Sequence, residues 1–132
     1  MTDERSERVS DDRRSYLSTL QFHRLEHACA EVNRCLGHPP YLVGSSTKRP
    51  DYRDVDLRSV LPDDEFDALF GSSIEFWSLF CLGVSAYLSQ VSGLPIDYQV
   101  QRRTEANAKF GGKTRNPMGT GYRNFAGGGD FR

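Results

Sequence analysis

From Asp12 onward, apolar side chains return every three or four residues: Tyr16, Leu17, Leu20, Leu25, Ala28, Val32 and Leu36. This spacing predicts an amphipathic helix over residues 12–36, and Gly37 followed by Pro39 and Pro40 supplies its stop. The period then changes. Tyr41, Leu42 and Val43, ahead of Gly44, form a short apolar run that suits a buried strand. Over residues 53–61 the period is two, with Val55, Leu57 and Leu61 on one face and Asp54, Asp56 and Arg58 on the other. Pro62 ends that strand. Asp63, Asp64 and Glu65 then place negative charge on the first turn of a short helix reaching Phe70, where the helix dipole favours it. Ser72 and Glu75 have capping-box spacing and open a third helix running to about Ser92. Its apolar content marks it as the main packing surface. Residues 96–101 alternate again after Gly93 and Pro95. The expected fold class is α+β, a small mixed β-sheet with helices packed on one face, spanning residues 12–102.

Composition narrows the picture. The 132 residues hold 17 basic and 18 acidic side chains, a net charge of −1, which gives no global attraction to nucleic acid or anionic lipid. The apolar stretch 74–91 is interrupted by Glu75, Ser78, Ser85, Ser89 and Gln90, so it reads as a buried helix and no membrane partner is expected. Residues 1–11 read as a charged, flexible leader without the apolar centre of a signal peptide. Three cysteines with no CxxC spacing (Cys29, Cys35, Cys81) predict small apolar fillers in a reducing cytoplasm. His23 and His27 lie one helical turn apart, but no third ligand accompanies them, and they read as surface histidines. Residues 103–132 carry seven of the twelve glycines and six Lys or Arg against two acids. This predicts a glycine-rich basic tail, either a disordered end or an arm for an anionic partner such as RNA. Arg102, Arg103, Lys109, Lys113 and Arg115 supply its charge, with Tyr122 and Phe125 able to stack on bases.

The chemistry concentrates between residues 43 and 57. Gly44 and Ser45 end a strand where the backbone can approach a ligand closely, and the N–H groups and hydroxyls of Ser45 and Ser46 can cradle phosphate oxygens. Lys48 and Arg49 follow, placed to neutralise phosphate charge. Asp54 and Asp56 stand two apart on the next strand and so project from one face. Their mutual repulsion is relieved by a hard divalent cation such as Mg²⁺, which also bridges nucleotide phosphates.

These residues resemble the nucleotidyltransferases of the DNA polymerase beta type, in particular their minimal and kanamycin nucleotidyltransferase-like members. The family pattern is an apolar residue, Gly-Ser, about ten residues, then Asp-x-Asp on a neighbouring strand, with a third carboxylate from a later strand. Gly44-Ser45 and Asp54-Val55-Asp56 match the first two elements, and Asp97 on the last strand is the candidate for the third. The loop reads Thr47-Lys48-Arg49-Pro50 where members often carry Arg-Gly. The resemblance implies an Mg²⁺-dependent enzyme, with Mn²⁺ as a substitute, moving a nucleoside monophosphate from an NTP to an acceptor hydroxyl on RNA, protein or a small molecule. Asp54, Asp56 and Asp97 would hold the metal and carry catalysis. Gly44, Ser45, Ser46, Lys48 and Arg49 would bind the nucleotide. Without the family's helical second domain, a homodimer or a partner subunit would complete the cleft. The alternatives are a non-catalytic nucleotide- or RNA-binding module and one half of a toxin–antitoxin pair.

Overall fold

The computed structural model describes residues 15–110 and 115–120. The leader over residues 1–11, Lys113, Tyr122 and Phe125 lie outside the described residues.

Ser18, rather than Asp12, starts the first helix. Its hydroxyl accepts from the Gln21 N–H while the Gln21 side chain accepts from the Ser18 N–H, a reciprocal cap that fixes α1 at Thr19–Leu36. Gly37, at φ 78°, closes it in the left-handed conformation that glycine adopts without strain. Residues 15–17, expected to be helical, instead run into the body of the protein. Leu17 is buried, and the Tyr16 N–H donates to the carbonyl of Ser46.

Among the described residues, four strands form one mixed sheet: β1 (Tyr41–Val43), β2 (Val55–Leu61), β3 (Ile96–Arg102) and β4 (Asn116–Pro117), in the order β3-β2-β1-β4. β1 runs antiparallel to both β2 and β4, and β2 runs parallel to β3. A parallel pair needs a crossover, which α2 (Asp63–Phe70) and α3 (Ile74–Ser92) provide. Leu42, Val55, Leu57, Ile96, Tyr98 and Val100 face one side of the sheet. They are buried in a single core with Leu25, Ala28 and Val32 of α1 and Cys81 and Leu88 of α3. Tyr41, Val43, Asp56, Arg58, Asp97 and Gln99 alternate with them and remain partly open to solvent. The α+β class and the small mixed sheet are therefore as expected.

The third helix departs from expectation in two ways. Its N-cap is Ser73, whose hydroxyl accepts from the Phe76 N–H, one residue after the Ser72 of the capping-box reading. Its outer side is also not buried: Ile74, Leu79 and Leu82 are exposed. Length and composition alone would allow α3 to cross a membrane. In the fold its inner side instead serves the free edge of β3. Trp77 Nε1 donates to the Val100 carbonyl and Cys81 Sγ accepts from the Val100 N–H. Ser85 Oγ accepts from the Tyr98 N–H, and Ser89 Oγ accepts from the Ile96 N–H. Four residues of helix advance about 6 Å and two residues of strand about 6.7 Å, so Cys81, Ser85 and Ser89, one per helical turn, meet Val100, Tyr98 and Ile96, every second strand residue. An edge satisfied in this way offers no template to another chain.

The basic tail begins as structure. Arg103–Phe110 form α4 directly after β3. Residues 115–120 return to the sheet, with Met118 fully buried, the Met118 N–H bonded to the Pro40 carbonyl, and Asn33 Nδ2 donating to the Gly119 carbonyl. The folded unit thus extends past Arg102 to Thr120 among the described residues.

Candidate functional site

The site lies on the open face of the sheet, where β1 ends and β2 and β3 run side by side. Strand pairing sets its geometry. Val43 is opposite Asp56 on the antiparallel side, and Asp56 is opposite Asp97 on the parallel side. Register partners in a sheet project to the same face, so Asp56 and Asp97 are neighbours despite the 40 residues between them.

Gly44 follows Val43 with φ 82° and ψ −160°. A β-carbon at this position would collide with Oδ2 of Asp56 and lie 2.9 Å from its Cγ. The chain then enters a single 3-10 turn, Ser45–Thr47. The Thr47 N–H and Oγ1 both donate to the Gly44 carbonyl, and the Lys48 and Arg49 N–H groups donate to the Ser45 carbonyl. The turn's own bonds begin at Thr47, which leaves the N–H groups of Ser45 and Ser46 outside its ladder. The Ser46 side chain is fully buried, and its hydroxyl has no partner among the described residues. Any contact from Ser46 to a nucleotide would therefore come through its backbone. Lys48 and Arg49 are exposed, and Arg49 pairs with Asp51 at 3.5 Å.

The three acids are not equivalent. Asp56 lies within β2 with its side chain 25% exposed, and Asp97 lies within β3 at 47%. Asp54 is an exposed residue in the bend before β2, one position outside the strand that holds Asp56. It still acts on the site. Burial raises the Asp56 carboxyl above the ordinary carboxylate range, Arg58 opposes that rise, and the charges of Asp97 and Asp54 both add to it.

Arg58 is the residue that the sequence reading left unassigned. One guanidinium nitrogen donates to the carbonyls of Leu57 (2.9 Å) and Asp97 (2.8 Å). The other lies 3.5 Å from Asp97 Oδ2 and 4.0 Å from Asp56 Oδ1. Its signal was available: a basic residue two positions after Asp56, on the same strand face.

The donor set fits Mg²⁺. Among the described residues no three of His, Cys, Asp and Glu are placed to hold an ion by themselves. Mg²⁺ is ordinarily held by one or two carboxylates with waters and substrate phosphates completing its shell. Asp54 and Asp56 provide hard oxygens of that kind, with Asp56 Oδ2 packed against the backbone of Gly44.

The remaining candidates fall elsewhere. Arg102 pairs with Asp63 at 3.2 Å and Asp67 at 3.0 Å, and Arg115 donates to Asn107 and to the Ala106 carbonyl. These cations of the expected tail are engaged within the fold. Cys29 and Cys81 are buried and burial pushes both thiols up, in keeping with apolar packing, whereas Cys35 is exposed. No family model matches the chain, and no curated protein or solved structure matches it.

Proposed function

We propose that the protein is a nucleotidyltransferase that transfers a nucleoside monophosphate from an NTP to an acceptor hydroxyl, with release of pyrophosphate. The observation that carries the reading is the junction of Gly44 with Asp56 and Asp97: a glycine at positive φ seated on one carboxylate, with a second carboxylate in register beside it. The strand order, with a Gly-Ser bend ending one strand and Asp-x-Asp opening its neighbour, supports a nucleotidyltransferase-like fold.

In this reading Asp54 and Asp56 are the ligands of Mg²⁺, which when bound would neutralise and orient the triphosphate. Gly44 lets the backbone close on Asp56, whose carboxylate fills the space a side chain would need. The N–H groups of Ser45 and Ser46 donate to phosphate oxygens, and Lys48 and Arg49, on the exposed side of the same turn, add positive charge. Asp97, in register beside Asp56, would orient the acceptor hydroxyl. Most of the acceleration would come from positioning and charge compensation rather than from a covalent step on the protein.

The test is Mg²⁺-dependent transfer of a labelled NMP to added acceptors, together with Mg²⁺-dependent NTP binding. Asp56→Ala is expected to lower transfer by on the order of 10³-fold. Transfer at the wild-type rate by that variant would overturn the assignment.

A further inference from the structure

A pair of neighbouring carboxylates calls for positive charge, and in this fold the chain supplies part of it. Arg58 is 17% exposed, anchored by two backbone carbonyls, with its charge between Asp56 and Asp97. The anchoring matters. A guanidinium held only by a carboxylate could swing away when an ion arrives. Withdrawing Arg58 would instead forfeit its bonds to Leu57 and Asp97 carbonyls in a part-buried place, where an unmet donor is costly.

We infer that Arg58 is the built-in second positive centre of the site, so that the protein takes one divalent ion, at Asp54 and Asp56, and not two. Asp97 is then an ion-paired acceptor of hydrogen bonds that orients the acceptor molecule, and it is not a ligand of a second ion. Arg58 acts through Asp97 and Asp56 and is a positioning residue. This rests on the nucleotidyltransferase reading and deepens it, because it states how the charge of the same site is divided between chain and ion.

The experiment counts ions without turnover. Full-length protein is titrated with Mn²⁺ in the presence of a non-hydrolysable NTP analogue, and free Mn²⁺ is read from its electron paramagnetic resonance signal. Wild type is expected to bind one ion. Arg58→Met, which keeps the stem and removes the charge, is expected to bind two, and Arg58→Lys to bind one. Circular dichroism establishes that each variant is folded, and Arg58→Gln, which also removes the charge and is expected to bind two ions, carries the comparison if the methionine variant is not. Two ions on wild type, or equal stoichiometry in wild type and Arg58→Met, would overturn the inference while leaving the enzyme reading intact. Wild type that binds no Mn²⁺ with the analogue present would overturn both.

Discussion

Gly44 rests so closely on Asp56 that no side chain fits between them: an added β-carbon would meet the carboxylate oxygen and lie 3.1 Å from the Asp56 β-carbon. The contact joins the end of β1 to the start of β2 and sets where the carboxylate points. It also makes Gly44 a residue of the site, although it has no side chain.

Gly44→Ala should therefore cost more than the backbone strain alone, which is on the order of 1–3 kcal/mol for a non-glycine residue at φ 82°, ψ −160°. Gly37 supplies the milder case: it lies in the αL region at φ 78°, ψ 6° with nothing within 4 Å of an added β-carbon, whereas Gly44 at ψ −160° combines a glycine-only backbone region with the collision against Asp56. Thermal melts of the two alanine variants should differ, with Gly44→Ala the less stable. Only Gly44→Ala should lose Mg²⁺-dependent NTP binding. Equal melts, with nucleotide binding retained in both, would remove Asp56 from this account.

Asp56 works against the fold that holds it. Burial raises its carboxyl, with Arg58 pulling the other way and Asp97 and Asp54 adding to the rise. A carboxyl with a raised folded-state pKa ionises first in the unfolded chain. Stability therefore falls as pH climbs from the ordinary carboxylate value through the raised one. At neutral pH Asp56→Asn should melt a few degrees higher than wild type in the absence of metal, and the gain should vanish at a pH where Asp56 is protonated in both states. Melting curves against pH check both signs. Added Mg²⁺ should stabilise wild type and leave Asp56→Asn unchanged.

Much of this site was legible because its elements are local. A change of period at Pro39–Pro40 and again at Pro62 separates strand from helix, and Gly44-Ser45 and Asp54-x-Asp56 lie within one stretch of chain. The Asp97 pairing was within reach because the alternation over 96–101 fixes which face it occupies. Arg58 was not read as part of the site, since its partners are a carboxylate and a carbonyl 39 residues away. Nor could the α3 side-chain ladder be seen in a pattern of apolar and polar letters, because Ser85 and Ser89 look like interruptions of a hydrophobic helix until β3 is placed beside them. Asp54 lies at the limit of that reasoning. The strand begins one residue after it, and period-two reasoning holds only inside a strand.

Residues 115–120 offer a test of where the folded unit ends. Composition placed them in a glycine-rich tail, yet Met118 is fully buried beside α1 and β1, and a β-carbon on Gly119 would lie 2.6 Å from the Cys29 backbone. Met118→Ala should cost about 2–5 kcal/mol, as large-to-small core changes do. Gly119→Ala should be at least as damaging, since backbone cannot rotate out of the way and Gly119 has φ 81°. Urea unfolding of both variants checks this. A tail that merely lay on the surface would tolerate either change within about 0.5 kcal/mol.

The junction of α2, β3 and α4 should be the acid-sensitive part of the molecule. Asp63 accepts from both the N–H and the hydroxyl of Thr104, and these bonds hold its carboxyl below the ordinary range, with Arg102 and Arg103 assisting. Asp67 is lowered by its hydrogen bonds from Arg102. For a depressed carboxylate, the stabilisation is in full force above the ordinary carboxylate value and disappears as pH falls through the lowered one. The first turn of α4, which Asp63 caps, should therefore loosen in acid before the sheet does. Amide exchange at Thr104 followed as pH is lowered should show protection lost there while Tyr98 remains protected. Asp63→Asn should lower the melting temperature at neutral pH and match wild type well below the carboxylate range. A variant that instead kept a constant deficit at every pH would assign the loss to shape, not to the ionised Asp63.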